Sequence, residues 1–145
     1  MPDSRIFLDT NILIYAYDVS AKNKHEVARD ILLDLWDSGR GVLSTQVLQE
    51  FYVMATQKIA LPLDAKSARE IVDDLLRWDV VVNDGDIIRK AIDLHERHKL
   101  SFWDAMIVEA AHRGGARILL SEDLSHGRTL SGVKIQNPFL ASVSR

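Results

Sequence analysis

Ile6, Phe7 and Leu8 form an apolar run without alternation, the pattern of a strand covered on both faces. The run meets Asp9, passes Thr10 and Asn11, and becomes helical in pattern over Ile12–Tyr17. After a polar, turn-like stretch from Asp18 to Lys24, the apolar positions Ala28, Ile31, Leu32, Leu35 and Trp36 recur at helical spacing, and the helix ends near Gly39 and Gly41. Val42–Leu43 reads as a second strand, and Ser44 or Thr45 then caps a helix burying Leu48, Phe51, Tyr52 and Ala55. Asp64 starts a helix packed through Ala68, Ile71, Val72 and Leu75, and Val80–Val82 is a third strand. Asp84 opens a helix with Ile88, Ala91, Ile92 and His95 on one side. Ser101 caps another over Phe102–Arg113, which Gly114–Gly115 ends. Ile118–Leu120 and Val133–Ile135 are the last strands, Pro138 closes the pattern, and a frayed tail is expected after it.

Short apolar strands alternating with longer helices predict an α/β fold: a mostly parallel sheet of four to five strands, covered by helices on both faces. No linker-like stretch interrupts the 145 residues, so one domain over residues 1–145 is expected. A chain that is 47% hydrophobic and 27% charged has the composition of a globular protein, not a disordered one. The net charge of −3 excludes holding nucleic acid by bulk positive charge, although bound metal ions can supply that charge to an acidic protein. With no cysteine, disulfide and thiolate chemistry are excluded. No leader pattern opens the sequence, and no apolar run approaches the roughly 18 residues that span a bilayer, so a cytoplasmic protein without a membrane partner is expected.

Four acids fall at the ends of elements. Asp9 follows the first strand, Glu50 lies early in the helix after the second, Asp104 lies in the first turn of Phe102–Arg113, and Asp123 follows the fourth strand. In a parallel sheet these positions open on the same carboxyl edge, where ligands collect. Convergent carboxylates repel one another without a counterion, and an all-oxygen set suits Mg²⁺ or Mn²⁺. Each acid also has a structural reading. Asp9 and Thr10 can start a helix, Glu50 can be a solvated helix residue, Ser101 and Asp104 fit a capping box, and Asp123 or its neighbour Glu122 can form a turn. Other chemistries fit less well. There is no glycine-rich phosphate loop, no HExxH and no zinc spacing among the five histidines, and no nucleophile elbow surrounds Ser44 or Ser121.

Together, Ile6–Ile12 (IFLDTNI), Ser44–Phe51 (STQVLQEF), Ser101–Ala105 (SFWDA) and Leu120–Leu124 (LSEDL) resemble the PIN-domain nucleases. The resemblance is closest to the VapC-type toxin ribonucleases of bacterial toxin–antitoxin pairs, and it covers nearly the whole chain. It implies a three-layer α/β/α fold and a Mg²⁺- or Mn²⁺-dependent endoribonuclease. Asp9, Glu50, Asp104 and Asp123 would carry the metal and the catalysis, with Thr10 and Asn11 supporting them. Many members place a further acid where this chain has Ser125, which leaves one or two metal ions open and raises Glu122 as a substitute. His126 and Arg128 are candidate substrate contacts, and Lys58, Lys99 and Arg113 are candidate contacts to the RNA backbone. The implied partners are RNA, a small antitoxin and a second copy of the chain. Met54, Ile59, Leu61 and Leu63 offer apolar surface for such an interface. Two other readings stay open: a PIN-type nuclease acting on DNA or in RNA processing, and an inactive interaction domain whose acids are only caps and turns.

Overall fold

Six strands form one sheet, in the order β3-β2-β1-β4-β6-β5, in a computed structural model that describes residues 4–141. They are β1 (Arg5–Leu8), β2 (Gly41–Ser44), β3 (Asp79–Val81), β4 (Ala116–Leu120), β5 (Thr129–Leu130) and β6 (Val133–Gln136). Neighbours run parallel except β5 against β6. The helices are α1 (Thr10–Tyr17), α2 (Asn23–Ser38), α3 (Thr45–Gln57), α4 (Ala65–Leu75), α5 (Gly85–His98), α6 (Phe102–Arg113) and α7 (Pro138–Ala141). This is the expected α/β/α arrangement with one strand more than four to five. The extra strand, β5, has two residues and is joined to β6 by Ser131 and Gly132, both at positive φ. That pair of left-handed residues is the turn that matches hairpin twist. No described helix is long and apolar enough to cross a membrane.

The chain passes from β1 through α1 and α2 to β2, then through α3 and α4 to β3, always stepping the same way along the sheet. It then returns through α5 and α6 to β4 on the other side of β1. The order therefore reverses between β1 and β4, and the crevice beyond their carboxyl ends is the switch point where open α/β sheets bind ligands. Phe7 and Leu8 are buried between the layers, as an unalternating run requires.

The caps fall where the sequence places them. Ser44, Asp64, Asp84 and Ser101 each accept a backbone N–H three residues on. Some helix faces are rotated from expectation. On α5 it is Ile87, Ala91 and Leu94 that are buried, while Ile88, Ile92 and His95 are exposed, and Tyr52 on α3 is exposed as well. In place of a frayed tail directly after Pro138, this residue starts α7, where its missing N–H is no loss; residues 142–145 lie outside the described residues.

At the opposite end of the sheet, Trp78 lies across the backbone of Gly41, and Trp36 meets it edge-on at 5.6 Å. A Cβ on Gly41 would stand 2.2 Å from the Trp78 ring. Gly41→Ala is expected to lower stability by about 1–3 kcal/mol through overpacking, seen as a drop of several degrees in the thermal melt with the helical circular dichroism retained. A melt superimposable on the wild type would show that Trp78 moves aside freely.

Candidate active site

Asp9 ends β1 and caps α1. Its Oδ1 accepts from the Thr10 N–H at 2.7 Å, and its Oδ2 accepts from the Ser121 hydroxyl, also at 2.7 Å. The pairing of Leu8 with Leu120, continued by a bond from the Asp9 N–H to the Leu120 carbonyl, sets Ser121 opposite Asp9. Ser121 is itself fully buried and accepts from the Asp123 and Leu124 N–H groups. Burial raises the Asp9 carboxyl from its ordinary 3.8 to about 6. The two hydrogen bonds oppose that rise, and the nearby charges of Asp123 and Asp104 add to it.

The other three acids reach the same place. Asp9, Glu50, Asp104 and Asp123, with Thr10, Asn11 and Gln46, line one cavity of about 490 Å³ at the switch point. Burial raises the Asp104 carboxyl, and the charges of Asp123 and Glu50 raise it further against the Ser101 hydroxyl. Ser101 Oγ accepts from the Asp104 N–H at 3.1 Å, so half of the capping box forms while the Asp104 side chain lines the cavity. Neutral donors stand between the carboxylates. The Thr10 hydroxyl donates to Glu50 Oε1 at 2.6 Å, Gln46 Nε2 to Glu50 Oε2 at 3.3 Å, and Asn11 Nδ2 to Asp123 Oδ2 at 2.9 Å.

Placed this way, no three or more acids or histidines among the described residues stand close enough to hold a metal ion. The donor set nevertheless suits one. It is all oxygen, Asp9 is buried without a cationic partner, and Gln46 Oε1 on the same cavity is buried with no hydrogen-bond partner.

Glu122 does not join the cavity. It accepts from the Tyr15 hydroxyl at 2.7 Å and pairs with Lys24, whose ammonium also lies 5.2 Å from the Tyr15 ring centre and 5.5 Å from that of Phe139. Burial works against the Glu122 carboxylate, but the bonds from Lys24 and Tyr15 outweigh it and hold its pKa below the usual range. Outside the cavity lining, His126 Nδ1 accepts from the Asn137 N–H, Arg128 lies against His98, and Arg113 pairs with Asp84 and Asp86. Sequence reasoning missed Gln46 and the Tyr15–Lys24–Glu122 group. Gln46 was within reach, because it stands four residues before Glu50 on the same helix face.

The fold and cavity define an α/β/α protein that gathers carboxylates at the switch point of a mostly parallel sheet. The chain belongs to the PIN-domain family, whose domain matches residues 6–129. Solved structures share the fold at low identity. A toxin–antitoxin complex from Klebsiella pneumoniae is 21% identical with a TM-score of 0.67, covering 93% of this chain and 98% of that one. DNA-bound VapBC from Salmonella typhimurium is 20% identical with a TM-score of 0.65, over 93% and 98% of the two chains. Mycobacterium tuberculosis VapC20, described as a sarcin–ricin loop cleaving toxin, is 20% identical with a TM-score of 0.61, over 81% and 89%. No curated relative matches the chain.

The buried Asp9 generates a pH dependence. Its folded-state pKa, near 6, lies above the unfolded 3.8, so between these values the folded chain binds more protons and stability falls as pH rises. In metal-free buffer this contribution amounts to roughly 3 kcal/mol, fully lost above about pH 6. Asp9→Asn removes it but sets an amide against the Ser121 hydroxyl. The variant should therefore melt above the wild type at pH 7.5, by about 1–3 kcal/mol, and the two should converge near pH 4. Parallel melting curves across this window would show that Asp9 ionises without penalty.

Proposed function

We propose that the protein is a metal-dependent endoribonuclease, the toxin of a toxin–antitoxin pair acting in the cytoplasm. The observation that carries this reading is the convergence of Asp9, Glu50, Asp104 and Asp123 on one cavity at the switch point of a PIN-domain fold. The toxin–antitoxin complexes among the structural neighbours and the RNA loop-cleaving activity in the description of VapC20 support the choice of substrate and partner.

Asp9, Asp104 and Asp123, with Glu50, would hold Mg²⁺ or Mn²⁺. When bound, the ion supplies positive charge to the phosphodiester and lowers the pKa of a water. Glu50, oriented by Thr10 and Gln46, accepts a hydrogen bond from the attacking water and turns it in line with the scissile bond. Asn11 fixes the Asp123 carboxylate through its amide, while its Oδ1 accepts from the Glu122 N–H and so holds the loop after β4. Cleavage would leave a 5′ phosphate and a 3′ hydroxyl. His126 and Arg128 would meet RNA outside the cavity.

Millimolar Mn²⁺ should raise the melting temperature, and RNA cleavage should require it. Asp9→Asn and Asp104→Asn should each lower cleavage by about 100-fold or more while the fold persists. Ser101→Ala should cost only about 1 kcal/mol of stability. Cleavage at the wild-type rate by Asp9→Asn would remove the mechanism, and activity confined to DNA would remove the toxin assignment. No metal shift and no nuclease activity would leave the interaction-domain reading.

For partners, the structure offers an apolar groove of about 870 Å³ between α3 and α4, walled by Leu48, Tyr52, Val53, Val72 and Leu76. Gln49 and Val53 belong to both the groove and the acid cavity, so an antitoxin segment lying in the groove would reach the catalytic edge. Of the apolar residues singled out for an interface, Met54, Ile59 and Leu63 pack partly into the core, and Leu61 stays exposed. A homodimer is expected for the isolated protein at micromolar concentration. Light scattering that finds only monomer would remove it.

A further inference from the structure

The cavity that gathers the acids has a second wall of different chemistry. Trp103, in the first turn of α6, is 61% exposed at this cavity, and Val53, Met54 and Ile107 add further apolar surface to its lining. Trp103 meets Phe102 edge to face at 5.1 Å, and most of its indole remains in solvent. So large an aromatic surface is seldom left open beside a charged cleft without a partner. The two walls are joined. Gln46 Nε2, which donates to Glu50 Oε2, also donates to the Trp103 carbonyl at 3.4 Å. Among the described residues, no lysine or arginine lines the cavity.

We propose that Trp103 is the stacking platform for an unpaired nucleobase next to the scissile phosphodiester. The inference rests on the nuclease reading above, in which the acid wall faces the phosphodiester. A polyanion entering a cavity without cations gains little from the chain's own charge, so its binding has to come from surface burial. A base inside a duplex is covered on both faces by its neighbours, whereas an unpaired base offers a free face to the indole. Stacking of this kind accepts any base, so the platform selects for unpaired structure more than for sequence.

Two variants and two readouts test this. Trp103→Ala should lower kcat/KM on an RNA with an unpaired target site by about 5- to 100-fold, with an unchanged melt. Trp103→Phe should restore cleavage to within about 3-fold, because a ring still stacks. In Mg²⁺, read by stopped flow before turnover, a mixed-sequence unpaired oligoribonucleotide should quench the tryptophan emission of the wild type. It should not quench that of Trp103→Phe, which keeps Trp36 and Trp78. A matched duplex should quench far less. Cleavage by Trp103→Ala at the wild-type rate, or equal quenching in wild type and Trp103→Phe, overturns the proposal. So does the absence of quenching by any oligoribonucleotide, the result expected if Trp103 meets only a protein partner. Failure of the nuclease reading shows separately: the wild type with Mn²⁺ would leave all RNA intact while Trp103-dependent quenching persists, and that result supports the platform.

Discussion

A carboxylate buried at the end of the central strand has to be held in place by groups that do not neutralise it, and Asp9 is held in that way. Its two oxygens are taken by a backbone N–H and a hydroxyl, and no cation among the described residues pairs with it. Both donors come from main-chain geometry at the switch point. Thr10 is the first residue of α1, and Ser121 is carried into position by the parallel pairing of β1 with β4. Shifting that register by one residue would exchange the faces on which Phe7 and Leu8 pack and separate the hydroxyl from the acid together. The same pairing that builds the core therefore builds the site.

Around Asp9 the remaining acids are kept apart by neutral side chains. Thr10 and Gln46 occupy the two oxygens of Glu50, and Asn11 occupies one oxygen of Asp123. A hydrogen bond from a neutral donor softens the repulsion between neighbouring carboxylates but leaves their charge in place. Such bonds can be exchanged for a cation, whereas a lysine among the acids would compete with one. The fifth acid nearby is treated differently. Glu122 is paired with Lys24 and bonded by Tyr15, which ties α1 and α2 to the loop carrying Asp123. Its charge is spent on holding that loop, so it does not replace the acid missing at Ser125.

What the sequence reveals depends on the range of the interactions involved. The run Ile6–Leu8, the capping residues and the bounds of α6 rest on local chemistry and are read correctly. The four acids are legible as a group because the parallel sheet sends their element ends to one edge. The buried face of α5 is misread because Ile87, Ile88, Ala91, Ile92 and Leu94 form a stripe wide enough for two phases. Packing against α6 then selects Ile87 and Leu94. β5 is missed because two residues carry no period, although Ser131–Gly132 is a turn signal. The partners of Glu122 lie 98 and 107 residues away, and no local pattern announces them.

The distribution of positive charge bears most directly on mechanism. Among the described residues, the cavity is lined by four carboxylates and no lysine or arginine. Three basic side chains considered for substrate or loop contacts are engaged: Lys24 with Glu122, Arg113 with Asp84 and Asp86, and Arg128 as a donor to His98, whereas Lys66 and Arg69 line the neighbouring groove. Freeing Lys24 would release the Asp123 loop, and Arg113 is held at the N-terminal end of α5 by two aspartates. A phosphodiester brought against this acid wall meets repulsion that helix N-termini ease by only about 1 kcal/mol or less each. Within the described lining of the cavity no side chain supplies the compensating charge. A divalent cation is the smallest entrant that cancels two carboxylates at once and still has open positions for phosphate oxygen and water. A cation would therefore be favoured here by the lack of lysine and arginine in the described lining as much as by the acids.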